Sequence, residues 1–524
     1  MSEPEDGEAG TYPLSTAQRG IWFAQQLDPG DAIFNIGEYL EIAGPIDAGL
    51  FERACRRLID EHDLYRLAFA DTADGPRQWI RPQLDWSLPC IDVSEASDPE
   101  AAALAWMRAD VARPRRLTRG PLFTLALLRV SDRRSFWYQG YHHLIMDGAG
   151  CALAARRLAG IYTALAAGAP VPSSPAPSSL RLLAAENAYR GSPAFLRDRA
   201  YWLAKLSEGP PAAAGFAGGR TAEAATPIRL SAILPQALSQ RLRMVAASVG
   251  ASFAQAFPAM IATYLHRLGG GRVLLLRLPT AGRLGAELRR TAGMATNLLP
   301  LRLAVAPQMS ALDVLRQAAQ AIAGGLRHQR YRHEDLRRDL GILPGEPDAS
   351  GPGINVQSFD YALSFGGYPA AAYNLANGAR VHDLDIAVYN RRDGRDVRVD
   401  LDANPALHDL GALATHWARL VRLLAAMAAE PELPVGRLEV LAPAERELLV
   451  VRHNATATQV PAGTVVALLQ AQAARTPAAT AVIAGSEQVS YAALHARADR
   501  LARLLIARGV GPERVVGLCL ERSP

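Results

Sequence analysis

The sequence predicts a mixed α/β fold in two lobes, followed by the opening of a further domain. Three observations carry that expectation. Apolar residues recur at helical intervals of 3, 4, 3 and 4 at Cys151, Ala154, Leu158, Ile161 and Leu165, which makes one stripe of a helix. Other segments read as strands, notably Leu122 to Val130 and Ser135 to His143 around the turn Ser131-Asp132-Arg133-Arg134. A proline- and serine-rich stretch, Gly168 to Ser179, then interrupts the pattern, because proline disfavours both helix interiors and central strands.

Length and composition bound the answer. At about 150 residues per domain, 524 residues correspond to three or four compact units, or fewer large ones. A hydrophobic share of 49% with 20% charged residues is that of a globular chain and excludes a wholly disordered or fibrous one. The net charge is +5 and no block of like charges forms a nucleic-acid arm, so no nucleic-acid partner is expected. Cys55, Cys90, Cys151 and Cys519 lie far apart without a C-x-x-C pair, which argues against a disulfide framework or a cysteine zinc site. The opening MSEPEDGEAG lacks the basic and apolar regions of a signal peptide, and no apolar run reaches about 18 residues. A cytoplasmic protein with no membrane association is the expectation.

Residues 1–10 are acidic and read as a mobile tail, with the first lobe at 11–170, including a helix from Leu50 to Asp60. An inter-lobe linker falls at 171–180. The second lobe, 181–440, holds helices at Ala200 to Ser207, Pro235 to Ser248, Ser252 to Leu268 and Ala311 to Arg327. Its strands are expected at Arg272 to Leu278, Gly353 to Phe359 and Val397 to Leu401, with loops at Gly215 to Thr226 and Leu343 to Gly353. Residues 441–462 form a second linker that contains the connector His453-Asn454-Ala455-Thr456. Residues 463–524 read as the truncated start of a domain: a helix, a strand-turn-strand, a long helix from Tyr491 to Arg508 and a strand-like run from Val515 to Leu520.

The segment Tyr141-His142-His143-Leu144-Ile145-Met146-Asp147-Gly148 has the form H-H-x-x-x-D-G, and a chance match anywhere in the chain has a probability of roughly 10⁻³. Alternation along the strand puts Phe136, Tyr138 and His142 on one face and Trp137, Tyr141 and His143 on the other. The two histidines therefore cannot share one role. His143 ends the strand and Asp147 sits in a tight turn before the helix. A histidine there can accept a proton or donate a hydrogen bond near neutral pH, and Asp147 can orient it or hold the loop through an arginine. That chemistry suits attack of an amine or hydroxyl on an activated acyl group. The bland alternative is two satisfied core histidines with Asp147 capping the turn. A metal site of His142, His143 and Asp147 is disfavoured, because adjacent strand residues diverge and no further His or Cys cluster lies near.

HHLIMDG resembles the signature of nonribosomal peptide synthetase condensation domains. Ser15 to Trp22, Pro279 to Arg283, Gly293 to Arg302 and His328 to Tyr331 resemble further motifs of that family in the same order, over about residues 11–440. Arg475-Thr476-Pro477 and Val489 to Leu494 resemble the opening of an adenylation domain. YPLSTAQRGIWFAQQLDP, WYQGYHHLIMDG and Ile354 to Tyr361 look most like the siderophore-type group, which takes an aryl or acyl donor from a carrier on a separate protein. Thr296 stands where valine is common, Arg338-Asp339 has an altered context, and Ala493 replaces an acidic residue.

The resemblance implies two chloramphenicol-acetyltransferase-like lobes in a V with a central tunnel and His143 at its centre. It implies amide formation between an acyl, aryl or peptidyl thioester on an upstream carrier, supplied in trans, and the amine of an aminoacyl thioester on a downstream peptidyl carrier. His143 would remove the amine proton as the amine adds or donate a hydrogen bond to the tetrahedral intermediate. Asp147 and Arg283 would form a structural salt bridge, and Gly148 would allow a backbone conformation costly for other residues. His142 would be a packed structural histidine, while Asn297 and Asn355 would face the tunnel or satisfy backbone groups. The condensation domain itself would bind no cofactor; 4′-phosphopantetheine would belong to the carriers, and ATP and magnesium only to a complete adenylation domain. A monomer is expected. A catalytically silent platform that recruits a carrier or tailoring enzyme, an ester-forming variant and a coenzyme A-dependent acyltransferase are the competing readings. The intact motif favours the enzyme over the platform.

Overall fold

The computed structural model describes residues 10–521 except 175, 208–214, 219, 221, 224, 270, 343–350, 376–379, 392–395 and 461. The expected tail, save Gly10, and most of the expected loop at 343–353 lie outside the described residues. The chain divides into two compact units, residues 1–442 and 443–524.

The first unit opens with β1 (Tyr12–Pro13), α1 (Thr16–Leu27), β2 (Asn35–Ile42), α2 (Ala48–Glu61), β3 (Leu67–Thr72), β4 (Gly75–Ile80) and β5 (Cys90–Asp92). It continues through α3 (Pro99–Val111), β6 (Phe123–Ser131), β7 (Arg134–His142), α4 (Gly148–Ala166), α5 (Leu180–Arg190) and α6 (Pro193–Leu206). Next come β8 (Ile228–Leu234), α7 (Gln236–Ser248), α8 (Phe253–Arg267), β9 (Val273–Thr280), α9 (Ala286–Arg289) and β10 (Asn297–Ala304). It closes with α10 (Ala311–Arg327), α11 (His333–Asp339), β11 (Ile354–Gln357), β12 (Leu363–Phe365), β13 (Tyr368–Asn374), β14 (Leu384–Tyr389), β15 (Val397–Ala403) and α12 (Leu410–Ala429).

Two sheets organise this unit. The first has the order β12-β13-β2-β7-β6-β5, and the second β11-β14-β15-β8. The hairpin β9–β10 adjoins the second through a parallel bridge between Arg277 and Gly353. In the central strand β7 the side chains alternate as the sequence requires. Trp137 and Tyr141 enter a core with Phe51 and Leu58 of α2 and Ala154, Leu158 and Ile161 of α4, while Phe136 and Tyr138 pack with Ala103 and Met107 of α3 on the opposite face. The helical stripe read from Cys151 to Leu165 is the face of α4 that meets this sheet. The second sheet buries its apolar side against α8, α10 and α12, and Ser252 and Ser310 start α8 and α10 with capping boxes.

Three expectations change. The strands β12 and β13 come from the expected second lobe yet pair into the first sheet, with Ala372 opposite Leu40 of β2, so the chain crosses back between lobes. The helix expected from Ala200 begins at Pro193, where proline at the first helical position costs no hydrogen bond. Residues 515–520 form no ladder, because a strand needs a partner to satisfy its backbone, and Val515, Leu518 and Leu520 are exposed. No single helix among the described residues is long and apolar enough to cross a membrane. The bent pair α7–α8 is apolar enough when taken together, but it turns by 100° and contributes to the second core.

The second unit holds α13 (Pro443–Arg446), a π-helical turn at Glu447–Arg452, α14 (Val465–Arg475), the hairpin β16 (Thr480–Ala484) with β17 (Glu487–Ser490), and α15 (Tyr491–Ala507).

Candidate active site

The strand β7 ends at His142, and its last backbone contacts fix the loop that follows. The His143 amide donates to the Phe34 carbonyl at 2.8 Å. The His143 Nδ1 lies 3.0 Å from the Met146 carbonyl. A carbonyl can only accept, so Nδ1 carries the proton and Nε2 keeps its lone pair. No hydrogen-bond partner for Nε2 occurs among the described residues. Burial pushes the His143 pKa below the ordinary histidine value, an effect only partly offset by the Met146 carbonyl and the Asp147 charge. Asp147 therefore does not orient His143 by a direct hydrogen bond.

His142 points to the opposite face and is almost fully buried. Its Nδ1 accepts from the Leu144 amide at 3.1 Å, so Nε2 is protonated and donates to Gln25 Oε1 at 3.1 Å. Burial first, then the neighbouring His143 and Arg115, lower its pKa to about 3, which keeps it neutral. Both ring nitrogens are spent on structure.

Asp147 has no exposed surface and starts α4, its Oδ1 accepting from the Gly150 amide at 2.9 Å. Arg283 grips it with two parallel bonds, Nη1 to Oδ2 at 2.8 Å and Nη2 to Oδ1 at 3.0 Å. Oδ2 also accepts from the amides of Ala295 and Thr296 at 2.9 and 3.0 Å and from the Thr296 hydroxyl at 3.1 Å. Burial alone would raise the carboxyl pKa. Arg283 and the amides of Gly150 and Ala295 outweigh it and hold the group below the usual carboxylate range. Arg283 spends its remaining donors on the carbonyls of Thr291, Ala281 and Gly293, so it has nothing left for a substrate. The pair is a clamp that ties the loop of β7 and α4 to residues 281–296.

The glycine expectation is corrected. Gly148 has ordinary helical backbone, and a Cβ there would meet Phe359 only at normal contact distance, 3.5 Å. The demanding positions are Gly282, at φ +63° with a Cβ 2.0 Å from the Ala295 carbonyl oxygen, and Gly150, whose Cβ would lie 2.4 Å from Met146 Sδ. Asn297 is buried and fully committed. Its amide donates to the carbonyls of Gln329 and Tyr331 at 2.9 and 2.8 Å, and its oxygen accepts from the His333 amide at 2.9 Å, so it holds a loop and has no hydrogen left for a tunnel. Asn355 is half-buried on β11, with no side-chain hydrogen-bond partner among the described residues.

Sequence reading missed Gln18 and Gln25 of α1. Gln18 donates to the Leu144 carbonyl at 3.2 Å and to Gln78 at 3.0 Å, and Gln25 holds His142. Both are buried on the helix face that also buries Ala17, Ile21 and Trp22, and a long polar side chain among such residues is the signal that could have found them. A cleft borders the clamp at Gly282 and Ala295 and is also lined by Tyr189, Met294, Gln329 and Arg332. No group of three or more potential metal ligands occurs among the described residues.

The profile of the condensation domain family matches residues 8–450, and that of AMP-binding enzymes matches residues 469–524. The chain belongs to the condensation domain family. It is 40% identical over 513 residues to the dimodular nonribosomal peptide synthase of Bacillus subtilis (strain 168), covering 98% of this chain and 22% of that protein. It is 32% identical over 517 residues to enterobactin synthase component F of Escherichia coli (strain K12), covering 98% of this chain and 39% of that one. The chain thus spans well under half the length of these curated relatives. Among solved structures, a variant of the starter condensation domain of rhizomide synthetase in complex with C8-CoA superposes with a TM-score of 0.75 at 40% identity, over 83% of this chain and 98% of that one. The first condensation domain of the CDA synthetase gives 0.77 at 34% identity, over 83% and 100%. The mixed α/β architecture of the first unit is that of these condensation domains, and a region that matches AMP-binding enzymes follows it.

Proposed function

We propose that the first unit forms an amide between an acyl or aryl thioester and the amine of an aminoacyl thioester, with His143 accepting the amine proton. The single observation that carries this reading is the hydrogen bond from His143 Nδ1 to the Met146 carbonyl, which leaves a neutral imidazole with its Nε2 lone pair unspent. A thioester is already activated, so holding the amine about 3 to 3.5 Å from its carbonyl carbon supplies several kcal/mol, and a positioned base adds about 10²–10⁴ in rate. The amine nitrogen bonds to the carbonyl carbon as the carbon–sulfur bond breaks. Its proton passes to Nε2, and the imidazolium returns it to the departing thiolate. Asp147 and Arg283 act by position only: they fix the turn between β7 and α4 and leave no donor for the reacting atoms.

The likeness to starter condensation domains supports a donor acyl group brought from outside the chain by a carrier in trans, with a downstream peptidyl carrier bringing the acceptor. Carrier-borne 4′-phosphopantetheine supplies the thioester linkage. We further propose that the protein acts as a monomer in the cytoplasm.

A single-turnover assay by intact-protein mass spectrometry tests the reading, using octanoyl- and aryl-loaded carriers as donors and a panel of aminoacyl-loaded carriers as acceptors. Product with the wild type and a loss of at least about a hundredfold in His143→Ala is expected. Equal rates in both proteins would sink the role of His143.

A further inference from the structure

The side-chain amide of Gln25 has only one orientation open to it. Its Nε2 donates to the carbonyls of Asp28 and Asp31 at 2.8 and 2.9 Å, which spends both hydrogens and turns Oε1 toward the His142 ring. An amide oxygen only accepts, so His142 Nε2 carries the proton and Nδ1 is bare. A bare Nδ1 is what the Leu144 amide, a donor 3.1 Å away, requires. One glutamine on α1 thus reaches the peptide bond that follows His143. Gln25 also reaches the bond that precedes it. The two carbonyls it holds belong to the loop at 28–34 between α1 and β2, and the last residue of that loop, Phe34, offers the carbonyl that takes the His143 amide at 2.8 Å. The Phe34 ring packs beside that of His142, with centroids 6.0 Å apart.

Taking the condensation reading as given, we propose that Gln25 is a positioning residue for His143: through the His142 ring on one side and the loop at 28–34 on the other, it fixes the backbone from which the reacting imidazole projects. Gln25 and His142 are both buried, and the His142 ring points away from His143 across β7, so neither meets the reacting atoms. Among the described residues the imidazole of His143 is held by a single hydrogen bond, Nδ1 to the Met146 carbonyl, and that bond survives only while the backbone at 143–146 keeps its place. An apolar side chain at position 25 strips the His142 Nε2 hydrogen and the carbonyls of Asp28 and Asp31 of these partners. A buried donor left unmade is costly, so the strand end and the loop rearrange to satisfy it. Nε2 of His143 then takes more than one direction, and a reacting group displaced by about 1 Å loses about a hundredfold in rate.

The test reads the two rings and the reaction separately. The full chain is labelled with ¹⁵N-histidine and studied at neutral pH, with His142→Gln and His143→Gln assigning the ring resonances. Wild type shows opposite tautomers, the proton on Nε2 of His142 and on Nδ1 of His143; a bare Nε2 on His142 overturns the proposal before any variant is made. Gln25→Met keeps the length of the side chain and removes both of its polar groups. It shifts and broadens the His143 ring resonances and slows single-turnover condensation with carriers in excess about tenfold to a hundredfold, while the carrier concentration at half the maximal rate stays within about twofold. Added to His143→Ala, the same substitution lowers the residual rate by less than about twofold, because its effect passes through a ring that is gone. Gln25→Leu carries the test if the methionine variant does not fold. A merely structural glutamine lowers the thermal midpoint but leaves the His143 resonances and the rate of the folded protein in place, and that result overturns the proposal. So does an equal loss of rate in the His143→Ala background. A wild type that turns over no carrier pair counts against the amide-forming reading, and the His143 ring resonances then decide the coupling on their own.

Discussion

Asp147→Asn is the most informative perturbation of this site, because it keeps the shape of the side chain and removes one charge of a fully buried pair. A carboxamide has a single acceptor oxygen. Its NH₂ group must face either the Gly150 amide with Arg283 Nη2, or Arg283 Nη1 with Ala295 and Thr296, and both sides present donors. Arg283, with a side chain only 2% exposed, is left as an uncompensated buried charge. Removing one partner of such a pair costs about 3–5 kcal/mol. At about 1.4 kcal/mol per factor of ten, the loop around residues 291–297 should open about two to four powers of ten more often. Hydrogen–deuterium exchange read by mass spectrometry on peptides containing Ala295 and Thr296 measures that opening. Adding Arg283→Met should recover part of the loss, since no orphan charge remains.

Acid gives a second readout. The Asp147 carboxyl titrates lower in the folded than in the unfolded chain, so its contribution is complete above the unfolded value of about 3.9 and is lost as the pH falls through the folded value. Wild-type protection therefore holds at pH 5 and fails only below about pH 4, a step that Asp147→Asn lacks. Protection within about threefold of wild type in Asp147→Asn at pH 7 would refute the view that this pair holds the loop.

Two further outcomes follow from the same structure. Burial lowers the His143 pKa and a base must be neutral to accept a proton, so single-turnover condensation rates should plateau at pH 7–8 and fall through a limb centred below pH 6.5; a limb at or above the ordinary histidine value would refute this. Glu38, buried on β2, accepts from Gln139, Tyr361 and Arg391, and Arg391 Nε and Nη1 have no hydrogen-bond partner among the described residues, so Glu38→Gln should cost about 3–5 kcal/mol and lower the thermal midpoint, with partial recovery on adding Arg391→Met, whereas an unchanged midpoint would show that the pair adds nothing.

Most of the local architecture was legible in the sequence. The helix Ala311–Arg327 has the bounds that its periodicity gives, and α4 and β7 turn the residues expected inward toward their cores. The strand expected to run to His143 ends one residue earlier, at His142, and the turn at Asp147 was readable for the same reason. Legibility failed where a residue's partner is remote in the chain. The crossing of β12 and β13 to the first sheet depends on β2, more than 300 residues earlier, and no local pattern encodes it. Asn297 looks the same in sequence whether it lines a tunnel or braces a loop, and only the positions of Gln329, Tyr331 and His333 decide.

The sequence alone determined the motif, the alternation that separates His142 from His143, and the aspartate that starts the helix. Each is set by backbone geometry over a few residues, where side-chain direction follows from the 2.0 and 3.6 periods. The tertiary structure decided which proton each histidine carries, because a tautomer is fixed by the partner of the other ring nitrogen: the Met146 carbonyl for one and Gln25, 117 residues away, for the other. It also decided that Asp147 serves Arg283, 136 residues away, and Thr296, 149 residues away, rather than His143. A buried carboxylate must collect its donors from whatever the fold brings within 3 Å or so, and that set exists only once the chain has closed on itself.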